Sequence, residues 1–160
     1  MSEQPPHTVV LGVGNELYRD EGVGVVVARL LAEEGTAPGV QVVEGALGGI
    51  NLLFEMEGAQ RVIVVDAVDM GAAPGTVRVF TPQEVEVVPP AMIASLHQVG
   101  LEQVLELGQL IGVQPQVHIV GIQPEEVAPG FELTATVTQA VPEALAAVRR
   151  LLAETAEPDH

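Results

Sequence analysis

The stretch from Thr8 to Leu31 limits what this chain can fold into more than any other. Thr8-Val9-Val10-Leu11-Gly12-Val13 is an unbroken apolar run, as expected of a strand covered on both faces. The chain then turns through Gly14 and passes Asp20 and Glu21. Beyond them Val23, Val26, Val27, Leu30 and Leu31 recur at helical spacing. A buried strand followed by a helix is a β-α unit, and repeats of that unit build parallel sheets with helices on both faces.

The rest of the chain continues the pattern. Gly35 and Ala37-Pro38-Gly39 stop the first helix, residues 40–44 form a second strand, and residues 45–49 form a turn. Ile50, Leu53 and Phe54 mark the core-facing side of a short helix ending near Gly58. Residues 61–66 form the strongest strand and are expected at the centre. The connection Gly71-Ala72-Ala73-Pro74-Gly75 is too short to hold a crossover helix, so the strand at residues 76–80 is expected to run antiparallel. Residues 81–94, with Pro82, Pro89 and Pro90, read as irregular, with Ser95-Leu96-His97 just before a helix that displays Leu101, Val104, Leu105, Gly108 and Ile111. A fifth strand at residues 116–122 precedes a helix through Val137, Val141, Leu145, Val148 and Leu152, which Pro142 should start or kink. Without a linker or repeat, residues 1–160 read as one domain, with mobile tails at 1–7 and 154–160.

Charge and residue usage narrow the functions. Six Arg, no Lys and 22 acidic residues give a formal charge of −16, which opposes binding to nucleic acid or an anionic membrane. The absence of Cys removes disulfides, thiolate ligands and a cysteine nucleophile, leaving carboxylates and His to bind any metal. No apolar run is long enough to span a membrane and no signal segment opens the chain, so a cytoplasmic location is the default expectation.

Gly12-x-Gly14 after a strand suggests a dinucleotide turn, but Leu17 occupies the third glycine position, and Asp20 and Glu21 lie where a phosphate would enter. The glycines suit a tight turn, with Gly22 and Gly24 allowing close packing of helix on sheet. Asp20 is assigned to helix capping and Glu21 to the crevice above the sheet. Asp66 ends the central strand and shares that crevice, and His97 can reach its rim from a loop. Glu21, Asp66 and His97 together make an oxygen, oxygen, nitrogen set suited to nickel or zinc with coordination positions left open. Asp69 is the rival to Asp66, farther into the loop. His7 and His160 belong to the tails, and His118 reads as a satisfied structural residue in a strand. Ser95 lacks the Gly-x-Ser-x-Gly setting of a nucleophile and reads as an N-cap, so metal-activated water is the better hydrolytic mechanism.

Leu11-Gly12-Val13-Gly14-Asn15 with Asp20-Glu21, Val65-Asp66-Ala67, Ala73-Pro74-Gly75-Thr76, Ser95-Leu96-His97-Gln98-Val99-Gly100-Leu101 and Gly121-Ile122-Gln123-Pro124-Glu125 recur in this order across nearly the whole chain. This set resembles the hydrogenase maturation proteases, which trim the C-terminal extension of nickel-iron hydrogenase large subunits. The resemblance implies a three-layer α/β/α fold around a five-stranded, mostly parallel sheet of order 2-1-3-5-4 with strand 4 antiparallel. It places the family's catalytic and metal-binding residues on Glu21, Asp66 and His97, and not on Glu16. It also implies a nickel-loaded large-subunit precursor as partner and substrate, with the nickel supplied by that substrate and zinc or cadmium able to occupy the site in vitro. An aliphatic surface near Leu53, Met56 and Pro89-Pro90 is expected to dock the precursor. The rival readings are a noncatalytic, metal-dependent checkpoint for the same precursor and a nucleotide-binding module.

Overall fold

In a computed structural model the chain forms a five-stranded sheet of order β2-β1-β3-β5-β4, built from β1 (Thr8–Val13), β2 (Val40–Ala46), β3 (Arg61–Ala67), β4 (Val77–Phe80) and β5 (Gln116–Ile122). The structure describes residues 8–46, 48–87 and 90–154, without the side chains of residues 85–87, 90, 91, 93, 94 and 97. β1 pairs in parallel with β2 and β3, and β3 in parallel with β5, whereas β4 runs antiparallel to β5. The expected order and strand directions are therefore observed. The β3–β4 connection contains no helix, and backbone hydrogen bonds from Val68 N to Ile122 O and from Gly75 N to Gln123 O hold it against the end of β5. A short link of this kind can return the chain only alongside a strand running the other way.

Helices α1 (Val23–Glu34) and α5 (Ala135–Ala153) cover one face. Helices α2 (Ile50–Met56), α3 (Pro90–Val99) and α4 (Leu101–Ile111) cover the other. Alternate strand residues supply two cores: Val10, Ile63, Val65, Val120 and Ile122 meet α1 and α5, while Val9, Leu11, Val62, Val64 and Ile119 meet the other three helices. β1 and β3 are buried almost end to end, which explains why their sequences are continuous apolar runs.

Several local readings change. In α2 the core-facing residues are Leu52, Leu53 and Met56, whereas Ile50 and Phe54 are exposed. Leu53 and Met56 are therefore core, not a docking surface; Pro89 and the Pro90 side chain lie outside the described residues. Residues 81–94 are not irregular throughout, because a 3-10 helix spans Pro82–Val87 and α3 begins at Pro90. Proline is well suited to the first position of a helix, where its missing N–H has no intrahelical acceptor to lose. Ser95 and His97 consequently sit inside α3, and not in a loop ahead of α4. α5 starts at Ala135, well before Pro142, because Thr134 Oγ1 accepts from Val137 N and the buried face of Val137, Val141, Ala144 and Val148 carries the helix through the proline. Residues 1–7 and 155–160 lie outside the described residues, while Glu154 is fixed in part by its carbonyl, which accepts from Arg61 Nη1.

Candidate active site

The parallel strands β1 and β3 end side by side, Gly12 registering with Val65, and so bring Gly14 next to Asp66. Gly14 has φ +139, and a Cβ built on it would lie 2.0 Å from the Glu21 carbonyl oxygen and 3.8 Å from Asp66 Oδ1. No side chain fits there, and its absence lets the Glu21 backbone close in on the Gly14 backbone beside Asp66. Gly24 allows a second close approach, from the helix side: a Cβ added to it would meet Val65 O at 2.1 Å and Val13 O at 2.6 Å. The amino end of α1 thus rests on the carboxyl ends of two strands. Gly12 also serves helix–sheet packing, since a Cβ there would strike Ala28 Cβ at 2.5 Å. Gly22, expected to pack on the sheet, faces Glu16 instead.

These contacts open a cleft of about 190 Å³ at the carboxyl edge of the sheet. Asn15, Glu21 and Asp66 form one side, and Ser95, Gln98 and Val99 of α3 form another. The β2–α2 turn completes it, with Gly49 N donating to Val99 O at 2.7 Å and so tying that turn to the end of α3. Asp66 is 4% exposed. Burial pushes its carboxyl well above the ordinary carboxylate range, the Ala67 backbone N–H opposes that, and the charge of Glu21 adds to the rise. A buried acid held partly against ionisation beside a second acid is a site that gains from a cation, which would stabilise both negative charges.

His97 is carried by α3 between buried Leu96 and crevice-lining Gln98, and its side chain lies outside the described residues. Among the described residues no three metal-binding side chains cluster; Glu21 and Asp66 supply two oxygen donors to one crevice. The chemistry of that pair fits a divalent cation.

Asp20 is not a helix cap. α1 has Gly22 at its N-cap and no side-chain cap bond, while the Asp20 carboxylate is fully buried and turned across to the β5–α5 segment. It accepts from Glu125 N, Glu126 N and Thr134 N at 2.9, 2.9 and 2.8 Å, and from the Thr134 hydroxyl. Burial acts to raise this carboxyl, but the N–H donors of Glu126, Thr134 and Glu125 outweigh it and hold the group below the ordinary range. Asp69 is likewise occupied in its turn, Oδ1 accepting from Gly71 N and Gln123 Nε2. Ser95, expected as an N-cap, lies within α3 and accepts from Asp69 N at 3.3 Å. Glu16 pairs with Arg29. His118 is not satisfied as expected: its buried Nδ1 has no hydrogen-bond partner among the described residues, because the imidazole stands on a strand amid aliphatic neighbours such as Ile63.

Sequence reasoning missed Asn15 and Gln98 as crevice residues. Gln98 had a usable signal, one position from His97, but its orientation depends on the helix that replaced the expected loop.

An open α/β/α domain with two carboxylates lining one crevice at the carboxyl edge of its central parallel strands defines the class. A family model described as hydrogenase maturation protease matches residues 25–151. The hydrogenase expression/formation protein HupM of Azotobacter chroococcum is 40% identical over 157 residues, covering 96% of this chain and 75% of HupM. HoxM of Azotobacter vinelandii, with the same description, is 42% identical over 123 residues, 76% of this chain and 59% of HoxM. The solved hydrogenase maturating endopeptidase HybD from E. coli superposes with a TM-score of 0.78 at 34% identity, covering 91% of each chain. The chain belongs to the hydrogenase maturation protease family. No described helix is long and apolar enough to cross a membrane.

Proposed function

We propose that this protein is an endopeptidase that removes the C-terminal extension from a nickel-loaded nickel-iron hydrogenase large-subunit precursor. The observation that carries the reading is the convergence of Glu21 and Asp66 on one crevice, with Asp66 buried and its ionisation opposed. Glu21, Asp66 and His97 complete the coordination of the substrate's nickel and hold the precursor so that the scissile bond lies in the crevice. Zinc or cadmium can occupy the same donors in vitro. A cation held there would favour the carboxylate form of Asp66, which burial and the Glu21 charge oppose. Hydrolysis adds the oxygen of water to the scissile carbonyl carbon and breaks the C–N bond, leaving a new carboxylate and a new amine.

The test is mass spectrometry of purified precursor, with and without nickel, after incubation with this protein. Cleavage of the loaded form alone is expected. Glu21→Gln, Asp66→Asn and His97→Ala should each abolish cleavage while remaining folded. Full cleavage by all three would sink the trio. Binding of the loaded precursor without cleavage by the wild type would instead identify a checkpoint protein.

A further inference from the structure

The turn from Asn15 to Glu21 has both ends in the crevice wall, and its hydrogen bonds from Tyr18 N to Asn15 O and from Glu21 N to Tyr18 O leave its middle outside. There Leu17 and Tyr18 are 57% and 42% exposed. The segment between β5 and α5 runs beside them: Gly130 N donates to Leu17 O at 2.8 Å and Arg19 N donates to Gly130 O at 3.1 Å, pairing Tyr18 with Gly130 in a parallel bridge. That segment adds Val127, 52% exposed, and Phe131, 84% exposed. Of the chain's three Phe and one Tyr, Phe80 is in the core, Phe54 is exposed on α2, and Tyr18 and Phe131 stand on this pair of loops.

The loops are fixed. The buried Asp20 carboxylate holds one to the other, and Arg19 adds bonds to the Glu132 carbonyl and the Glu126 carboxylate. Apolar side chains displayed on prebuilt loops can bind a partner with little ordering cost. Glu125 and Glu132 on the same segment are exposed and have no ion-pair partner among the described residues. An apolar surface edged by uncompensated carboxylates suits an apolar and basic partner. A second copy of this chain, itself at −16, would meet it with like charge.

We propose that Leu17, Tyr18, Val127 and Phe131 form a docking surface for an apolar, positively charged segment of the hydrogenase precursor flanking the bond to be cut. This rests on the proteolytic reading above. The surface adjoins the crevice through the Asn15–Glu21 turn, so a segment seated on it feeds the neighbouring peptide toward Glu21 and Asp66.

The test compares steady-state cleavage of nickel-loaded precursor by the wild type, Phe131→Ser, Leu17→Ser and a control, Leu110→Ser. Leu110 is 83% exposed near the end of α4, which leads into the opposite edge of the sheet. Phe131→Ser and Leu17→Ser should each raise KM roughly tenfold, with kcat within about twofold and melting temperature unchanged. Leu110→Ser should change neither constant, and Glu132→Gln should raise KM and weaken its dependence on salt. If the wild type cuts the precursor and the patch variants keep its KM, the docking surface is overturned and the protease reading stands. If the wild type does not cut, the protease reading fails by itself; docking is then read from binding to immobilised precursor, and equal binding by wild type and Phe131→Ser overturns it. A dimer in sedimentation that Phe131→Ser abolishes would assign the patch to a second copy and also overturn the proposal.

Discussion

Asp20 and Glu21 are adjacent acids with opposite assignments, and exchanging each for its amide separates them. The Asp20 carboxylate receives three backbone N–H groups and the Thr134 hydroxyl. An amide side chain offers only one acceptor oxygen. If that oxygen faces Glu125 and Glu126, the NH2 group meets the Thr134 N–H; the opposite flip sacrifices two N–H bonds. The cheaper flip forfeits one charge-assisted bond and buries a donor against a donor, a cost of roughly 3 kcal/mol. In a chain of this length that is a fall in Tm of roughly 6–12 °C, read by circular dichroism at pH 7. The sign of the pH dependence follows from the lowered folded pKa. The carboxylate's contribution is present above its unfolded pKa of about 3.9 and is lost as pH falls through the lower folded value. The gap in Tm between wild type and Asp20→Asn should therefore stay level from roughly pH 8 to 5 and close below about pH 4. Glu21→Gln should melt with the wild type yet lose cleavage. An Asp20→Asn protein that melts within about 2 °C of wild type at pH 7 would rule out a stabilising buried carboxylate at Asp20, as would a gap that widens on acidification.

Asp66 should behave in the opposite sense. Burial and the neighbouring Glu21 charge raise its folded pKa, so its contribution to stability is full below the unfolded pKa and is lost as pH rises through the folded value. Asp66→Asn should raise the Tm of the metal-free protein at pH 8, with the advantage vanishing toward roughly pH 4; an equal or lower Tm at pH 8 would count against this. Gly24→Ala forces a Cβ to 2.1 Å from Val65 O and 2.6 Å from Val13 O, both backbone atoms, and should cost about 1–3 kcal/mol or more in a denaturant titration while lowering cleavage. Gln123 Oε1 accepts from Met70 N and Ala72 N at 2.6 and 3.3 Å; Gln123→Ala should speed hydrogen exchange at those two amides, and unchanged protection would exclude that role.

Some of this was legible because it is written locally. The apolar runs of β1 and β3 give their burial on both faces, and the helix-free link from β3 to β4 gives the antiparallel direction of β4, whose place beside β5 came with the family resemblance. The meeting of Glu21 and Asp66 in one crevice follows from the β1–α1 turn and the carboxyl end of β3 lying at the same edge of a parallel sheet. Elsewhere two local signals compete. Proline density concealed α3, although Pro90 at a first helical position permits a helix, and the apolar residues of α2 fitted more than one face because the helix is only Ile50–Met56.

Period and connection length act between near neighbours in the chain, so the order of the elements, their strand directions and the place of Asp66 near the end of β3 could be read from the residues, whereas the strand order came from the family resemblance. Tertiary structure alone decided that Asp20 is a buried hub and not a cap, since its donors at Glu125 and Thr134 stand 105 and 114 residues away. It also decided that Leu53 and Met56 fill the core while Leu17 and Phe131 remain outside. Apolar character is a property of the residue, but whether it is covered depends on which distant segment folds over it.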